Sequence, residues 1–363
     1  MLDWSGHSGH IMRFALSGVS HPHLPAWIAA AQALGVDLPF VHDPDRKLAE
    51  ATAASLNAKT FQPKSLTSLG VDGALVVARN DQQYNLALDC VEAGLPTLLE
   101  KTGAQTATQF DHLIDVARRA DVPIQIAYYL RYSDSTRIAK DLLTRKGFGR
   151  VSVARFHVGM PKVAWDQHGD WFRNKQLVTS LFTEEACHVL DIIFELFGEP
   201  LAVAAKAKNG LYDAPIGAVG EDALAAILDY ERHLVYLDFV ALEGNPWLES
   251  WDMQIYGSDA TLRGGILPAW AQIVRTGGWW EDVTPPASKN ITDFDNALAS
   301  NVSTCMRRAL GEFIKVSRRE QAPPIDIVRG ARIASCIDAI HEAVRTGETV
   351  PLTTSAAKEA SAP

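Results

Sequence analysis

The sequence has few cysteines and no long apolar run. Its four cysteines are scattered without the close spacing of a metal site, so we expect reduced, structural thiols; they are Cys90, Cys187, Cys305 and Cys336. No stretch approaches the ~20 apolar residues that cross a bilayer. The first eleven residues lack the basic and apolar regions of a signal peptide. These absences predict a cytoplasmic protein with no membrane anchor and no bound metal.

The chain also lacks clustered positive charge. Its 34 basic residues are outnumbered by 43 acidic ones, which gives a net charge of −9, and no basic run interrupts the sequence. Nucleic acids and anionic membranes are therefore excluded as expected partners. With 363 residues and 47% hydrophobic content, the chain is long enough for two domains with a sizeable core.

The first third of the chain alternates between short apolar strands and amphipathic helices. Leu86, Cys90 and Val91 form one apolar stripe of the kind that covers a sheet. This alternation predicts an α/β domain with a doubly wound parallel sheet. Its expected strands are residues 13–17, 38–41, 59–61, 72–78, 96–100 and 123–127.

The turn after the first strand is typical of dinucleotide binding, although its glycine pattern is incomplete. Gly18, Val19, Ser20 and His21 form this turn, with one glycine where the usual pattern has three. Asp43 follows the second strand, where an acidic residue binds the adenosine ribose. An aspartate there favours a free 2′-hydroxyl, so the sequence predicts NAD over NADP.

Beyond about residue 133 the pattern changes to longer strands. Segments 149–158, 201–208, 223–231, 233–243 and 251–258 predict a mostly antiparallel sheet in an α+β domain. Residues 163–180 mix aromatic and polar side chains without periodicity, and Trp171 and Arg173 belong to this segment. Such a loop suits a sugar or another polyhydroxylated ring, or else simple packing between subunits.

Six segments, in their order and spacing, resemble one known family. They are VDGALVVARN (71–80), EAGLPTLLEKT (92–102), YYLRYS (128–133), KGFGRV (146–151), FTEEACHVLDIIFELFGEP (182–200) and IASCIDAIHEAVRTGETVPL (333–352). Together they resemble the Gfo/Idh/MocA oxidoreductases, which include glucose-fructose oxidoreductase and inositol dehydrogenase. The resemblance implies an N-terminal Rossmann domain, a C-terminal α+β domain with an open-faced sheet, and homodimers or homotetramers formed through that face.

The resemblance also implies site residues. It places Lys101 beside the nicotinamide and the reacting carbon, and it pairs Glu184 with His188 in a second motif. Thr102, Arg79, Gln83 and Glu184 depart from the usual family residues, which leaves the substrate open. The expected cofactor contacts are Gly18, Val19, Ser20, His21, Asp43, Ala78, Arg79, Asn80, Glu100, Lys101 and Arg131.

The chemistry of these residue types agrees with hydride transfer from a secondary alcohol. Glu184, His188 and Asp191 are spaced to lie on one helix face. His188, with an unperturbed pKa of roughly 6.5, suits a general base whose tautomer Glu184 or Asp191 would fix. Lys101 would stabilise the charge that develops on the same oxygen. Which of the two residues is the formal base stays open, and Arg131 binds either a ligand or a carboxylate.

These observations predict four segments and three alternative functions. We expect an extension (1–11), a dinucleotide-binding domain (12–133), a domain for substrate and oligomerisation (134–352) and a disordered tail (353–363). The favoured function is an NAD(P)-dependent dehydrogenase acting on a sugar, polyol or related cyclic compound, with substrate contacts from Lys101, Trp171, Arg173 and His188. The alternatives are a glycosidase that uses NAD for transient oxidation and elimination, and a non-catalytic dinucleotide sensor.

Overall fold

The structure, a computed structural model, describes residues 10–145, 147–161, 170–171, 173–174, 176–209, 220–243, 251–285 and 294–352. The predicted extension, apart from residues 10 and 11, and the predicted tail lie outside these ranges. Two compact units are present, Met1–Ala127 with Met306–Val328, and Tyr128–Cys305 with Arg329–Pro363. No helix in the described ranges is both long and apolar enough to pass through a membrane.

The first unit contains the predicted parallel sheet. Its strands pair in the order β3-β2-β1-β4-β5-β6, which reverses direction between β1 and β4. β4 is buried along its whole length, as expected for a parallel strand with both faces covered. The strands are β1 (Arg13–Ser17), β2 (Asp37–His42), β3 (Lys59–Thr60), β4 (Gly73–Val76), β5 (Thr97–Leu99) and β6 (Ile124–Ile126). The predicted doubly wound fold is confirmed.

Helices connect the strands along this part of the chain, and each begins at or near the carboxyl end of a strand. They are α1 (Leu24–Ala33), α2 (Arg46–Leu56), α3 (Asn80–Glu92) and α4 (Ala107–Ala120). Asp45 caps α2 by accepting hydrogen bonds from Lys47 and Leu48, and Thr106 caps α4 in the same way. This arrangement collects the helix starts at the edge of the sheet where ligands bind in such folds.

A late segment of the chain, Met306–Val328, belongs to the first unit. The sequence pattern assigned this segment to the second domain. Ile126 donates a backbone hydrogen bond to Ile325, and the Gln125 amide donates to Ala309. Phe313 packs against Phe14 with ring centroids 5.2 Å apart. Met306–Val328 therefore belongs to this unit because it packs on Phe14 and accepts hydrogen bonds from β6.

The second unit is built on a nine-stranded sheet with the order β14-β13-β12-β11-β7-β10-β9-β8-β15. Among these pairs only β7 with β10 is parallel, so the predicted mostly antiparallel sheet is confirmed. Its strands are β7 (Val151–Pro161), β8 (Ala202–Lys208), β9 (Ala223–Asp229), β10 (Leu234–Glu243), β11 (Trp251–Gly257), β12 (Ala260–Leu267), β13 (Trp270–Arg275), β14 (Glu281–Asp282) and β15 (Val350–Pro351). The sequence pattern missed β12 to β15.

Helix α6 (Leu181–Phe197) packs against one face of this sheet. Phe182 of α6 meets Phe239 of β10 with ring centroids 5.7 Å apart. On the other face, Val153, Ile227, Leu234 and Tyr256 keep large exposed fractions. The remaining helices are α5 (Asp134–Thr144), α6 (Leu181–Phe197), α7 (Phe294–Ser317) and α8 (Ile327–Thr346).

Candidate cofactor-binding and catalytic residues

The turn after β1 requires a glycine for two reasons. Gly18 has a φ of +91°, a left-handed conformation that other residues adopt at a cost. A Cβ at this position would lie 2.5 Å from the Ala78 Cβ, so the turn also passes very close to the end of β4. The only glycine of the motif therefore lies at the position where a side chain would collide with Ala78.

Asp43 fixes this turn from the end of β2. One of its carboxylate oxygens accepts a hydrogen bond from the Val19 N–H at 2.8 Å, and the other accepts from the Asp45 N–H at 2.8 Å. Asp43 is almost fully buried. Because a carboxylate oxygen can accept more than one hydrogen bond, Asp43 retains acceptor capacity for a ribose hydroxyl.

Ser20 connects the turn to the start of α3. Its hydroxyl accepts a hydrogen bond from the Arg79 N–H at 3.1 Å and donates to Gln82 at 3.2 Å. The Arg79 guanidinium pairs with both carboxylate oxygens of Asp81. Ala78 and Asn80 are buried on either side of Arg79. Arg79 is thus already paired with an acidic side chain.

These residues fit a dinucleotide. Within the described ranges the Ser20 N–H donates no hydrogen bond, which leaves a backbone donor for a phosphate in the turn before α1. Gly18 lets the backbone pass without a side chain, and Asp43 supplies a buried carboxylate beside the turn. The His21 N–H, by contrast, donates to Val77, so the turn offers fewer donors than a three-glycine loop.

Glu100 and Lys101 follow β5 at the same edge of the sheet, and both are buried. Glu100 accepts hydrogen bonds from the Lys101 N–H at 2.6 Å and the Trp27 indole at 3.0 Å, and it lies 2.6 Å from His23 Nδ1. Burial alone would raise the pKa of Glu100, but the nearby His23, His21 and Lys101 outweigh it and hold that pKa well below its ordinary value. Glu100 is therefore a buried carboxylate that stays ionised.

Gln83 binds the Lys101 segment from its other side. Its amide nitrogen donates to the Lys101 carbonyl at 2.8 Å, and its amide oxygen accepts from the Gly103 N–H at 2.9 Å. From the sequence, Gln83 stood out only as a departure from a family histidine. No local signal marks its contact with Lys101, because the two residues lie 18 positions apart.

The second unit holds the carboxylate and histidine motif on α6. Ser180 caps this helix by accepting a hydrogen bond from the Thr183 N–H. Glu184, His188 and Asp191 are all buried, and their spacing places them on one helix face. The predicted helix and the predicted arrangement of these residues on it are both present.

His188 lies among aromatic rings. Its centroid is 4.6 Å from that of Tyr129 and 6.0 Å from that of Tyr128, both in edge-on geometry. Trp251 contributes a third ring, with centroids 6.3 Å apart. Sequence reasoning did not assign these three aromatics to the site. They restrict the imidazole to a narrow range of orientations.

Asp191 binds Arg131, which sequence reasoning left open between a ligand and a carboxylate. The guanidinium makes two hydrogen bonds to the two Asp191 oxygens, one of them of 2.7 Å from Nε. It also lies 3.2 Å from a Glu195 oxygen. Burial would lower the pKa of Arg131, but Asp191 and Glu195 outweigh it and raise that pKa, so the arginine stays charged.

The predicted loop of residues 163–180 is described only in part. Trp171 is half-buried, and the Arg173 guanidinium lies 3.6 Å from Asp170. Trp165, Asp166 and His168, which the sequence pattern also singled out, lie outside the described residues.

Comparison with known proteins places these features in one family. Residues 12–128 match the family described as "Oxidoreductase family, NAD-binding Rossmann fold", and residues 136–263 match the "GFO/IDH/MocA C-terminal domain". The two matches together span about two thirds of the chain. None of the curated proteins compared with this sequence matches it.

Solved structures of similar fold cover nearly the whole chain. An oxidoreductase from Agrobacterium radiobacter, in complex with NAD+, L-tartaric acid and magnesium, is 15% identical and has a TM-score of 0.80, with 94% of this chain and 98% of that chain covered. A levoglucosan dehydrogenase in complex with NADH and levoglucosan is 15% identical, with a TM-score of 0.80 and coverage of 94% and 99%. The WlbA dehydrogenase from Bordetella pertussis, in complex with NADH and UDP-GlcNAcA, is 18% identical, with a TM-score of 0.77 and coverage of 95% and 99%.

At these low identities the solved structures establish only a shared fold. The family assignment comes from the two domain matches. The match of residues 12–128 confirms the predictions of an oxidoreductase and of NAD as its cofactor. This chain belongs to the Gfo/Idh/MocA family of NAD-binding oxidoreductases.

Proposed function

We propose that this protein is an NAD-dependent dehydrogenase that oxidises a secondary hydroxyl of a sugar, polyol or related cyclic compound. The observation that carries the proposal is the buried, hydrogen-bonded setting of Lys101 after β5. A lysine at the carboxyl edge of a parallel sheet, with its backbone bound on both sides, is typical of a functional site.

Lys101 has the role of stabilising charge on the substrate oxygen. An ammonium can donate a hydrogen bond to a hydroxyl oxygen that loses its proton, and this interaction strengthens as negative charge develops. Lys101 is 3% exposed, so water competes little for such a bond. When bound, NAD supplies the hydride acceptor, and Gly18, Ser20 and Asp43 are the residues that would hold it.

His188 has the role of taking the hydroxyl proton. Imidazole titrates near neutral pH, which suits a general base. The rings of Tyr129 and Tyr128 hold its orientation, and Glu184 lies one helical turn before it on the same face. Asp191 serves a different purpose, because both of its oxygens bind Arg131.

The proposed substrate class has two supports. Trp171 and Arg173 would supply an aromatic face and a hydrogen-bonding cation, which together suit a polyhydroxylated ring. Two of the structural neighbours were solved with levoglucosan or UDP-GlcNAcA. The proposed cofactor preference for NAD over NADP has its support in Asp43, since a carboxylate repels a 2′-phosphate.

The test is an assay of NADH formation with a panel of candidate substrates. Saturating NAD would be mixed with levoglucosan, inositols, UDP-sugars, L-tartrate and simple glycosides, and NADH absorbance would be followed. Net NADH formation with one compound supports the dehydrogenase. Cleavage of a glycoside without net NADH would identify the glycosidase instead, and NAD binding without any turnover would favour a sensor.

Two variants tie the activity to the proposed residues. Lys101→Ala and His188→Ala should each lower kcat by about 100-fold or more, the scale of a lost acid-base or charge-stabilising group. Lys47→Ala and His112→Ala are matched controls, since Lys47 is exposed on α2 and His112 lies on α4. Wild-type turnover in either test variant would contradict its assigned role.

We also propose a cytoplasmic homodimer or homotetramer that associates through the open face of the nine-stranded sheet. Val153 of β7 stands opposite Leu234 of β10 and Tyr256 of β11, and all three are exposed. An apolar row of this kind is typical of an interaction surface. Light scattering of Leu234→Glu should show a smaller species than the wild type, and an unchanged mass would contradict this interface. All four cysteines are buried and form no disulfide bond among the described residues, which suits a reducing compartment.

A further inference from the structure

The backbone around Lys101 is bound by side chains on both sides. Glu100 accepts from the Lys101 N–H at 2.6 Å, while Gln83 donates to the Lys101 carbonyl at 2.8 Å and accepts from the Gly103 N–H at 2.9 Å. Glu100 and Gln83 are essentially fully buried. The position of the Lys101 main chain therefore depends on where these two side chains are held.

Glu100 is in turn held by the start of α1. The Trp27 indole N–H donates to Glu100 Oε1 at 3.0 Å, and His23 Nδ1 lies 2.6 Å from the same oxygen. Trp27 is 1% exposed to solvent, whereas the His23 side chain is 26% exposed. The two carboxylate oxygens thus make different contacts, because Oε1 anchors Glu100 to α1 and Oε2 anchors Lys101 to Glu100.

We propose that His23 and Trp27 are positioning residues for Lys101 and act through Glu100. This inference rests on the proposed function, because it matters for catalysis only if Lys101 contacts the substrate oxygen. A buried carboxylate needs hydrogen bonds on both oxygens, and the loss of either contact on Oε1 leaves the charge with one hydrogen bond fewer. Glu100 then rotates toward another donor or takes up a proton, and in both cases its bond to the Lys101 N–H weakens.

The same cluster has the composition of a metal site, and the contacts favour the hydrogen-bonded alternative. One ligand atom from each of His21, His23 and Glu100 lies within 4.8 Å of the others. Histidine and glutamate are zinc ligands. However, Glu100 Oε1 is already shared by Trp27 and His23, and His21 Nδ1 accepts from the His23 N–H at 3.1 Å. A metal would have to displace these bonds.

The experiment compares variants that remove one donor with variants that keep it. Trp27→Phe keeps a large ring but loses the N–H, and His23→Leu removes the imidazole nitrogens, whereas His23→Gln keeps a side-chain N–H donor that is one bond farther from the backbone than Nδ1. The controls are Trp279→Phe, which changes an indole that is 87% exposed, and His112→Gln on α4. Each variant would be assayed for kcat, for KM, for NAD affinity by titration, and for thermal stability.

We expect Trp27→Phe and His23→Leu to lower kcat by about 10-fold or more, which is the scale of a lost hydrogen bond to a charged group. NAD affinity should change by less than about 3-fold, since neither side chain bonds to Asp43 or Ser20, and His23→Gln should restore a large part of kcat. Wild-type kcat in both donor-free variants would overturn the proposal. So would equal losses in kcat, NAD affinity and stability without recovery in His23→Gln, because that pattern indicates a purely structural role.

A readout independent of turnover separates this inference from the proposed function. Trace acetylation followed by mass spectrometry would compare Lys101 with the exposed Lys47 in each variant. We expect the ratio of Lys101 to Lys47 labelling to change severalfold in Trp27→Phe and His23→Leu and to stay unchanged in the controls. An unchanged ratio would overturn the inference even if the enzyme is active. Stoichiometric zinc bound by the wild type and lost in His23→Leu would instead assign the cluster to a metal.

Discussion

Asp43 and Val19 are joined by a 2.8 Å hydrogen bond from the Val19 N–H to Asp43 Oδ2, which ties the end of β2 to the turn after β1. The other Asp43 oxygen accepts from the Asp45 N–H at 2.8 Å. One carboxylate therefore shapes the turn, and under the proposed function it would also present negative charge to the adenosine ribose. In that position Asp43 would influence both the affinity for the cofactor and the choice between NAD and NADP.

Replacing this carboxylate by an amide should weaken NAD binding and narrow the preference for NAD over NADP. In Asp43→Asn one of the two backbone N–H groups loses its acceptor, and the repulsion of a 2′-phosphate disappears. We expect the Kd for NAD to rise by about 10-fold and the Kd for NADP to change less. Calorimetric titration with both cofactors measures the two values. Asp37→Asn, an exposed change on the same strand, is the control, and an unchanged ratio of the two Kd values would refute the assignment of Asp43.

Two glycines with similar backbone angles should respond very differently to alanine. Gly18 combines a φ of +91° with a Cβ position only 2.5 Å from Ala78, whereas Gly35 has a φ of +66° and open space around it. Gly18→Ala should lower the free energy of unfolding by about 2–4 kcal/mol, and Gly35→Ala by about 1 kcal/mol.

Urea unfolding of both variants measures this difference. The double change Gly18→Ala with Ala78→Gly relieves the contact with the Ala78 Cβ, but the backbone strain and the 2.7 Å approach to Leu86 Cδ1 remain, so it should recover only part of the loss. Equal losses in the free energy of unfolding for Gly18→Ala and Gly35→Ala would show that the close contacts of a Cβ at position 18 do not contribute to its loss.

Breaking the ion pair of Arg131 with Asp191 from one side should be strongly destabilising. Arg131→Met leaves the Asp191 carboxylate, which has no exposed surface, without its bidentate partner. We expect a loss of about 3–5 kcal/mol in the free energy of unfolding. Arg137→Met removes an exposed partner of Asp134 and should cost less than about 1 kcal/mol. Denaturant unfolding of the two variants, measured side by side, decides whether burial makes this difference.

Much of the first unit could be predicted from the sequence because its central strands, β1, β4 and β5, are mostly apolar and buried. β4 is fully buried, and the segment around it was identified with bounds that differ from the structure by one or two residues. β12 was missed because its glycine pair at 264 and 265 interrupts the alternation of a strand, and β13, its neighbour in the sheet, was missed with it. In the structure a Cβ on Gly264 would lie 2.5 Å from the Trp270 carbonyl oxygen, so the close pairing of these two strands needs glycine there.

Some of the site residues could likewise be predicted from the sequence, whereas others are recognised only in the fold. The family resemblance identified Glu184 and His188, and helical spacing predicted that these two residues and Asp191 share one helix face, since all three lie within two turns of one helix. His23 and Trp27 could not be identified, because their partner Glu100 is more than seventy positions away along the chain. A histidine near a helix start is usually solvated, and only the fold brings this one to a buried carboxylate.

The last prediction concerns the pH dependence of stability through His157 on the open face of the sheet. His157 stands directly opposite Asp238 of β10 and Asp252 of β11, and Glu243 lies 3.7 Å from its Nε2 atom. Burial would lower the pKa of His157, but its hydrogen bond to Asp238 and the nearby carboxylates outweigh that effect and raise it from 6.5 to about 9.

A raised pKa means that the folded state binds the proton more tightly than the unfolded chain does. The stabilisation should be fully present below pH 6.5, and it should be lost as the pH rises through about 9. Because the side chain keeps some exposure, we expect about 1–2 kcal/mol rather than the full value of the shift. Urea unfolding of wild type and His157→Gln across this range gives the difference curve, with His112→Gln as the control. If the gap between wild type and His157→Gln stays constant from pH 6 to pH 10, the imidazole does not gain its charge from this carboxylate cluster.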